Sequence, residues 1–226
     1  MKLSANTDYK TVTDTVVGFM DKNNMNRAAD AMRFAQAYHR GQRKDGTPEF
    51  SHQMWQAYLA IGMIDLFLNK EDVLITIFLH DVVEDYPVSL NLIKDKYGMV
   101  SAMSVDAISK VIFEKEIKKT TEDYFDNLAL DVNASACKGI DRIHNHQSMI
   151  NAFTVSKQYE YVAETQKHIL PMLKKAQVNF PEQHQAYSTI IMMLEMQIEM
   201  ILHSLEFRWN ELSDERRTEI LVRRNK

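Results

Sequence analysis

The sequence predicts an all-α protein, and two observations carry that expectation. Its 226 residues include only 6 Gly and 4 Pro, too little punctuation for the many tight turns of an all-β sandwich. Apolar residues recur at spacings of three and four along most of the chain, the period of an amphipathic helix. Hydrophobic residues at 45% and charged residues at 26% exclude a disordered tail and a membrane-embedded chain.

The first helix is read from about Met25 to Gln42, where Ala28, Ala31, Met32, Phe34, Ala35 and Tyr38 form one stripe. Arg43 to Pro48 reads as a loop from its Asp-Gly and Pro content. Helices are expected from about His52 to Leu68 and from Glu71 to Asp85, the second ended by Pro87. Ser89 or Asn91 opens a short helix that stops near Gly98, and another covers Val100 to Ile112.

Glu114 to Glu122 is charged without an apolar stripe and reads as a mobile loop. Helices resume from about Tyr124 to Leu130, Ala134 to Ile150 and Lys157 to Gln177, the last kinked or broken at Pro171. A long Met- and Leu-rich helix from about Glu182 to Leu212 follows, and Ser213 opens a terminal helix to Arg224. The chain divides as a helical domain, 1–178, and a C-terminal helical extension, 179–226. In that extension Ile190, Leu194, Ile198, Ile201 and Leu205 offer a face for the core or for a second copy.

The formal charge of −4 argues against a general nucleic-acid binder. The one cysteine, Cys137, excludes an internal disulfide and a cysteine-rich zinc site. It reads as a packing residue. No apolar run reaches the length needed to cross a bilayer, and the polar N-terminus lacks a signal core, so the expected location is the cytoplasm.

The chemistry concentrates in VLITIFLHDVVED, Val73 to Asp85. A helix apolar nearly all round is a buried one. This one ends in His80, Asp81, Glu84 and Asp85, and on a continuous helix His80 and Glu84 share a face, as do Asp81 and Asp85. Carboxylates crowded at a buried helix end repel one another and are costly to desolvate, so a divalent cation is the simplest counter-charge. The alternative is that Glu84 and Asp85 reach solvent while His80 is hydrogen-bonded in the core. His52 after the loop and Asp141 in KGIDRIHN add an imidazole and a carboxylate, a set that leaves positions open for water and substrate.

His52, His80-Asp81 and Asp141, in that order, resemble the HD superfamily of metal-dependent phosphohydrolases. The segments FAQAYHRGQRKDGTPEFSHQ, FLHDVVED, SVDAISK and KGIDRIHN, spread from about Ala28 to Lys175, resemble the hydrolase domain of RelA/SpoT-type alarmone hydrolases. That resemblance implies an all-helical HD bundle. It also implies Mn²⁺ held by His52, His80, Asp81 and Asp141, and removal of the 3′-pyrophosphate of guanosine tetra- or pentaphosphate. By the same resemblance Glu84 and Asp85 orient and activate water, and Arg43 and Lys44 contact the base. Asn145 lines the nucleotide pocket, and Lys138 precedes the second aspartate. The lack of a following nucleotide-making domain makes a small stand-alone hydrolase the expectation.

Departures from the family pattern put the substrate in question. Glu49-Phe50 stands for the usual Tyr, Gln53 for the usual Pro, and Asn145-His146-Gln147-Ser148 for Asn-Met-Arg-Thr. The last change removes a candidate phosphate contact; His146 either replaces it or lies on the surface. Activity on another phosphorylated nucleotide (the 2′-phosphate of NADPH, or a dNTP) and a catalytically idle nucleotide-binding regulator remain open. His39 reads as a satisfied structural histidine, and His144 as a hydrogen-bond partner behind the metal ligands.

Overall fold

The computed structural model describes residues 5–43, 46–112, 117–118 and 120–210. The first three helices are α1 (Ala5–Lys22), α2 (Asn26–Tyr38) and α3 (Ser51–Ile61), followed by α4 (Lys70–Leu79), α5 (Val82–Asp85), α6 (Leu90–Tyr97) and α7 (Met99–Ile108). A small antiparallel hairpin, β1 (Val111–Ile112) with β2 (Ile117–Lys118), separates these from α8 (Thr121–Leu128) and α9 (Val132–Ala152). The chain ends in α10 (Val155–Glu164), α11 (Leu170–Asn179) and α12 (His184–Asn210). The all-α expectation holds, with this hairpin as its one extended element among the described residues.

The hydrophobic run in α4 makes it the central rod. Every residue from Val73 to Leu79 is buried, and α4 packs against α2, α3, α7 and α9. Its N-terminus is tied down by charge. Glu71 accepts the backbone N–H groups of Arg27 and Ala28 at 2.9 and 3.2 Å, which caps α2 with a carboxylate from another helix. The Arg27 guanidinium in turn binds Glu71 and Asp72.

The second rod, α9, is capped by Asp131, whose carboxylate accepts the N–H groups of Asn133 and Ala134 at 3.0 and 2.8 Å. Gly139 lets α12 approach it closely: a Cβ there would lie 2.6 Å from Ile190 Cγ2 and 3.1 Å from Leu173 Cδ2. Ile190, Leu194, Ile198, Ile201 and Leu205 are buried along α12, which lies on α9 and α11, while Met192, Met196 and Met200 face outward.

Two readings need correction, one helix is additional, and the expected irregularity at Pro171 takes a particular form. α1 was not anticipated; it buries Val12, Val16 and Met20 at i, i+4 and i+8 against the core, in a segment whose Thr and Val have modest helix propensity. The helix expected over 71–85 is interrupted: α4 ends at Leu79, His80 and Asp81 form a turn, and α5 is a single further turn. The mobile loop expected over 114–122 contains β2 and the start of α8, whose N-cap Thr120 accepts from Asp123. Pro171 is accommodated by a π-helical turn, Thr165–Ile169, in which Leu170 donates to the Thr165 carbonyl five residues back. The terminal helix expected from Ser213 lies outside the described residues.

Candidate metal centre

His52 enters the site as the second residue of α3, placed there by the loop before it. Arg43 donates its N–H to the Thr47 carbonyl, Gly46 donates back to the Arg43 carbonyl with φ of 81°, and Gln42 bridges Pro48. Glu49 closes the loop by accepting the Gly41 N–H at 3.0 Å. Its carboxylate is therefore partly occupied within its own loop. A Cβ at Gly41 would lie 2.9 Å from that same oxygen, so a larger residue there would have to displace the Glu49 carboxylate from its bond to the Gly41 N–H.

The break between α4 and α5 delivers the neighbouring pair. His80 Nδ1 lies 2.8 Å from the Ile77 carbonyl, which can only accept, so Nδ1 carries a proton and Nε2 faces Asp81 at 3.1 Å. One donor atom from each of His52, His80 and Asp81 lies within 4.8 Å of the others. Asp141, projecting from α9, joins them through His52, with its Oδ1 3.0 Å from His52 Nε2.

The surrounding side chains orient these four. His144 Nδ1 stands 2.7 Å from His52 Nδ1, the supporting contact expected of it. Asp141 also receives Asn145 Nδ2 at 2.8 Å and Lys138 Nζ at 3.0 Å. Gln53, at the position where the resembled family has proline, donates to Asp81 Oδ2 at 3.1 Å and steadies that carboxylate.

Burial and charge pull against each other throughout. Burial alone would lower the His80 pKa, but Asp81 overrides it and holds the imidazole at about 9. Burial would raise Asp81, yet His80 keeps it at about 2. Burial would likewise raise Asp141, and Lys138 and His52 draw it well below the carboxylate range. Asp85 behaves differently: burial, then Asp81, Glu84 and Glu49, push it up to about 6. Glu84 is also raised, chiefly by burial, although it accepts the Lys110 backbone N–H.

Beside these residues opens a cleft of about 390 Å³. It is lined by His52, Asp81 and Asp141 together with Arg43, Lys138, Asn145 and Asp85, while His80 lies behind it. Glu84 is not among its lining residues and is held instead at β1's edge by Lys110. Lys44 lies outside the described residues.

His146 does neither thing expected of it. It is fully buried on the far side of α9, with Nε2 2.9 Å from Thr165 Oγ1. Arg142 likewise turns from the cleft to pair with Glu164 at 2.6 Å. His39 lines the cleft, buried, with Nε2 lacking a hydrogen-bond partner, so it is not the satisfied histidine expected. Cys137 is fully buried in packing, and burial raises its thiol.

The residues fit a divalent cation. His52, His80 and Asp81 converge and Asp141 joins them through His52, His80 is turned by Ile77 so that Nε2 faces Asp81, and the buried Gln53 and Gln56, which bond Asp81 and Asp141, each leave Oε1 unpartnered. Sequence reasoning missed Gln56, although it stands four residues from His52 and so shares its helical face.

No family model matches the chain. A Synechocystis protein described as a probable guanosine-3′,5′-bis(diphosphate) 3′-pyrophosphohydrolase is 29% identical over 153 residues, 64% of this chain. The chain spans only 19% of that relative's length. A solved structure of a metazoan ortholog of SpoT, described as hydrolysing ppGpp with a role in starvation responses, matches with a TM-score of 0.54 at 19% identity. That match covers 77% of this chain and 94% of the other. The resemblance drawn from the motifs is thus met by both comparisons, and the fold is the all-helical one of that SpoT ortholog.

Proposed function

We propose that this chain is a divalent-metal-dependent phosphohydrolase that removes the 3′-pyrophosphate of guanosine tetra- or pentaphosphate, leaving GDP or GTP and pyrophosphate. The observation that carries the reading is the convergence of His52, His80 and Asp81 within 4.8 Å, beside a cleft lined by His52, Asp81 and the cationic Arg43 and Lys138.

In this reading His52, His80, Asp81 and Asp141 hold the cation, with Mn²⁺ as the metal. When bound, such an ion lowers the pKa of water and polarises a phosphoryl oxygen. Asp85, on the cleft wall and raised to about 6, takes the proton from the attacking water. Glu84, fixed by Lys110, sets the orientation of that end of the site. Arg43 offsets phosphate charge at the rim, and Lys138 does so while keeping Asp141 in place. Asn145 holds its amide on Asp141 Oδ1 and lines the nucleotide pocket, and Lys44 contacts the base in this reading.

No described helix is long and apolar enough to cross a membrane. We place the protein in the cytoplasm, acting on a free nucleotide rather than on nucleic acid. Residues 1–178 form the catalytic unit in this reading, and the 179–226 extension offers the outward Met192, Met196 and Met200 to a second copy.

The test is a product assay on purified protein with Mn²⁺. The reading expects pyrophosphate and GDP from ppGpp. Orthophosphate from NADPH, or cleavage of a dNTP, with ppGpp untouched would replace the substrate. Inactivity on all three would leave a nucleotide-binding regulator.

A further inference from the structure

We propose that Gln56 supplies its side-chain carbonyl oxygen as a further ligand at the cation site; the inference rests on the metal-binding reading above and extends it. Gln56 lies on α3, fully buried. Its amide end stands 2.6 Å from His52 Nε2 and 3.3 Å from Asp141 Oδ1, and those two atoms are 3.0 Å apart. Three atoms from three side chains thus form a closed triangle. Neighbouring ligands on a small octahedral cation, with bonds of roughly 2.1 Å, are about 3 Å apart, which is the scale of this triangle.

Protonation gives the second argument. As placed, Gln56 Nε2 donates, so His52 Nε2 has to accept from it. The same His52 nitrogen faces the Asp141 carboxylate, which requires it to donate. One nitrogen cannot do both. A half-turn of the carboxamide puts Oε1 where Nε2 stands, which lets His52 donate but sets two oxygens, Gln56 Oε1 and Asp141 Oδ1, face to face. A cation among the three atoms resolves the conflict, because three lone pairs then converge on one positive charge.

The third observation is independent of the triangle. In its present place Gln56 Oε1 is buried without a hydrogen-bond partner, a costly state for an amide oxygen. Turning the carboxamide onto the cation gives that oxygen a partner and moves the amide N–H groups to its former place. An added neutral oxygen also shifts the donor set from imidazole toward oxygen, the direction that suits Mn²⁺ over softer ions.

The test is Mn²⁺ binding to the full chain without nucleotide, followed by loss of the free-ion electron paramagnetic resonance signal. Gln56→Leu removes the oxygen and Gln56→Glu keeps one. The proposal expects at least about tenfold weaker binding for Gln56→Leu and binding as tight as the original chain, or tighter, for Gln56→Glu. Unchanged affinity in Gln56→Leu overturns it. So does weakening in both variants, which would make the group a donor to Asp141. If Gln56→Leu does not fold by circular dichroism, Gln56→Glu decides alone: retained binding supports the ligand, and weakened binding refutes it. Absence of Mn²⁺ binding in the original chain removes the metal reading itself and this ligand with it.

Discussion

His146 Nε2 lies 2.9 Å from the Thr165 hydroxyl, joining the middle of α9 to the π-helical turn that precedes Pro171. Burial, and then the nearby Arg142, depress this imidazole to about 4 from 6.5. The unfolded chain therefore takes up a proton in that window and the folded chain does not. The stability contributed by this neutral imidazole is full above about pH 6.5 and falls as the pH drops toward 4. The whole shift is equivalent to about 3 kcal/mol. Urea unfolding between pH 7.5 and 5 tests this: His146→Gln flattens the slope relative to the original chain. Parallel slopes would show that the buried neutral imidazole is not its source.

Gly139 lies where α9 packs closely on α12. Its missing Cβ would meet Ile190 Cγ2 at 2.6 Å. Gly139→Val overpacks this contact and costs about 1–3 kcal/mol in urea unfolding, even though valine has a slightly better helix propensity than glycine. Unchanged stability would mean that the helices separate freely here.

Glu71 caps a helix other than its own. Glu71→Ala leaves the Arg27 and Ala28 N–H groups without their acceptor and removes one partner of the Arg27 guanidinium. About 1 kcal/mol of stability is lost, with faster amide exchange at the start of α2. The proposed hydrolysis proceeds at its original rate, because the cap lies outside the cleft.

Asp85 is the proposed proton acceptor on the cleft wall. Asp85→Asn lowers kcat about 100-fold or more while Mn²⁺ affinity stays within a few-fold. If affinity collapses along with rate, Asp85 holds the cation instead of the proton.

The fold was readable where local signals agreed with packing. The apolar run of α4, the Ser89 cap of α6 and the Asp-Gly loop before His52 all appear where the pattern places them. α1 was not, because Thr11, Thr13 and Thr15 mask a stripe that only contact with the core makes stable. The break at His80-Asp81 was also hidden, since VLITIFLHDVVED keeps a helical look through the turn. Metal-ligand types at the right order were legible, whereas Gln56 looked like any polar residue on an amphipathic helix. His146 was misread because its neighbour Asn145 faces the cleft, and one step along a helix turns a side chain by about 100°.

The most direct test of the site is the release of pyrophosphate from ppGpp under Mn²⁺ by the original chain and by Asp81→Ala, with circular dichroism on both. The expected result is pyrophosphate from the first, abolished by a chelator, and a helical but inactive second. Equal turnover by Asp81→Ala, or turnover indifferent to the chelator, would contradict a hydrolytic cation at His52, His80, Asp81 and Asp141.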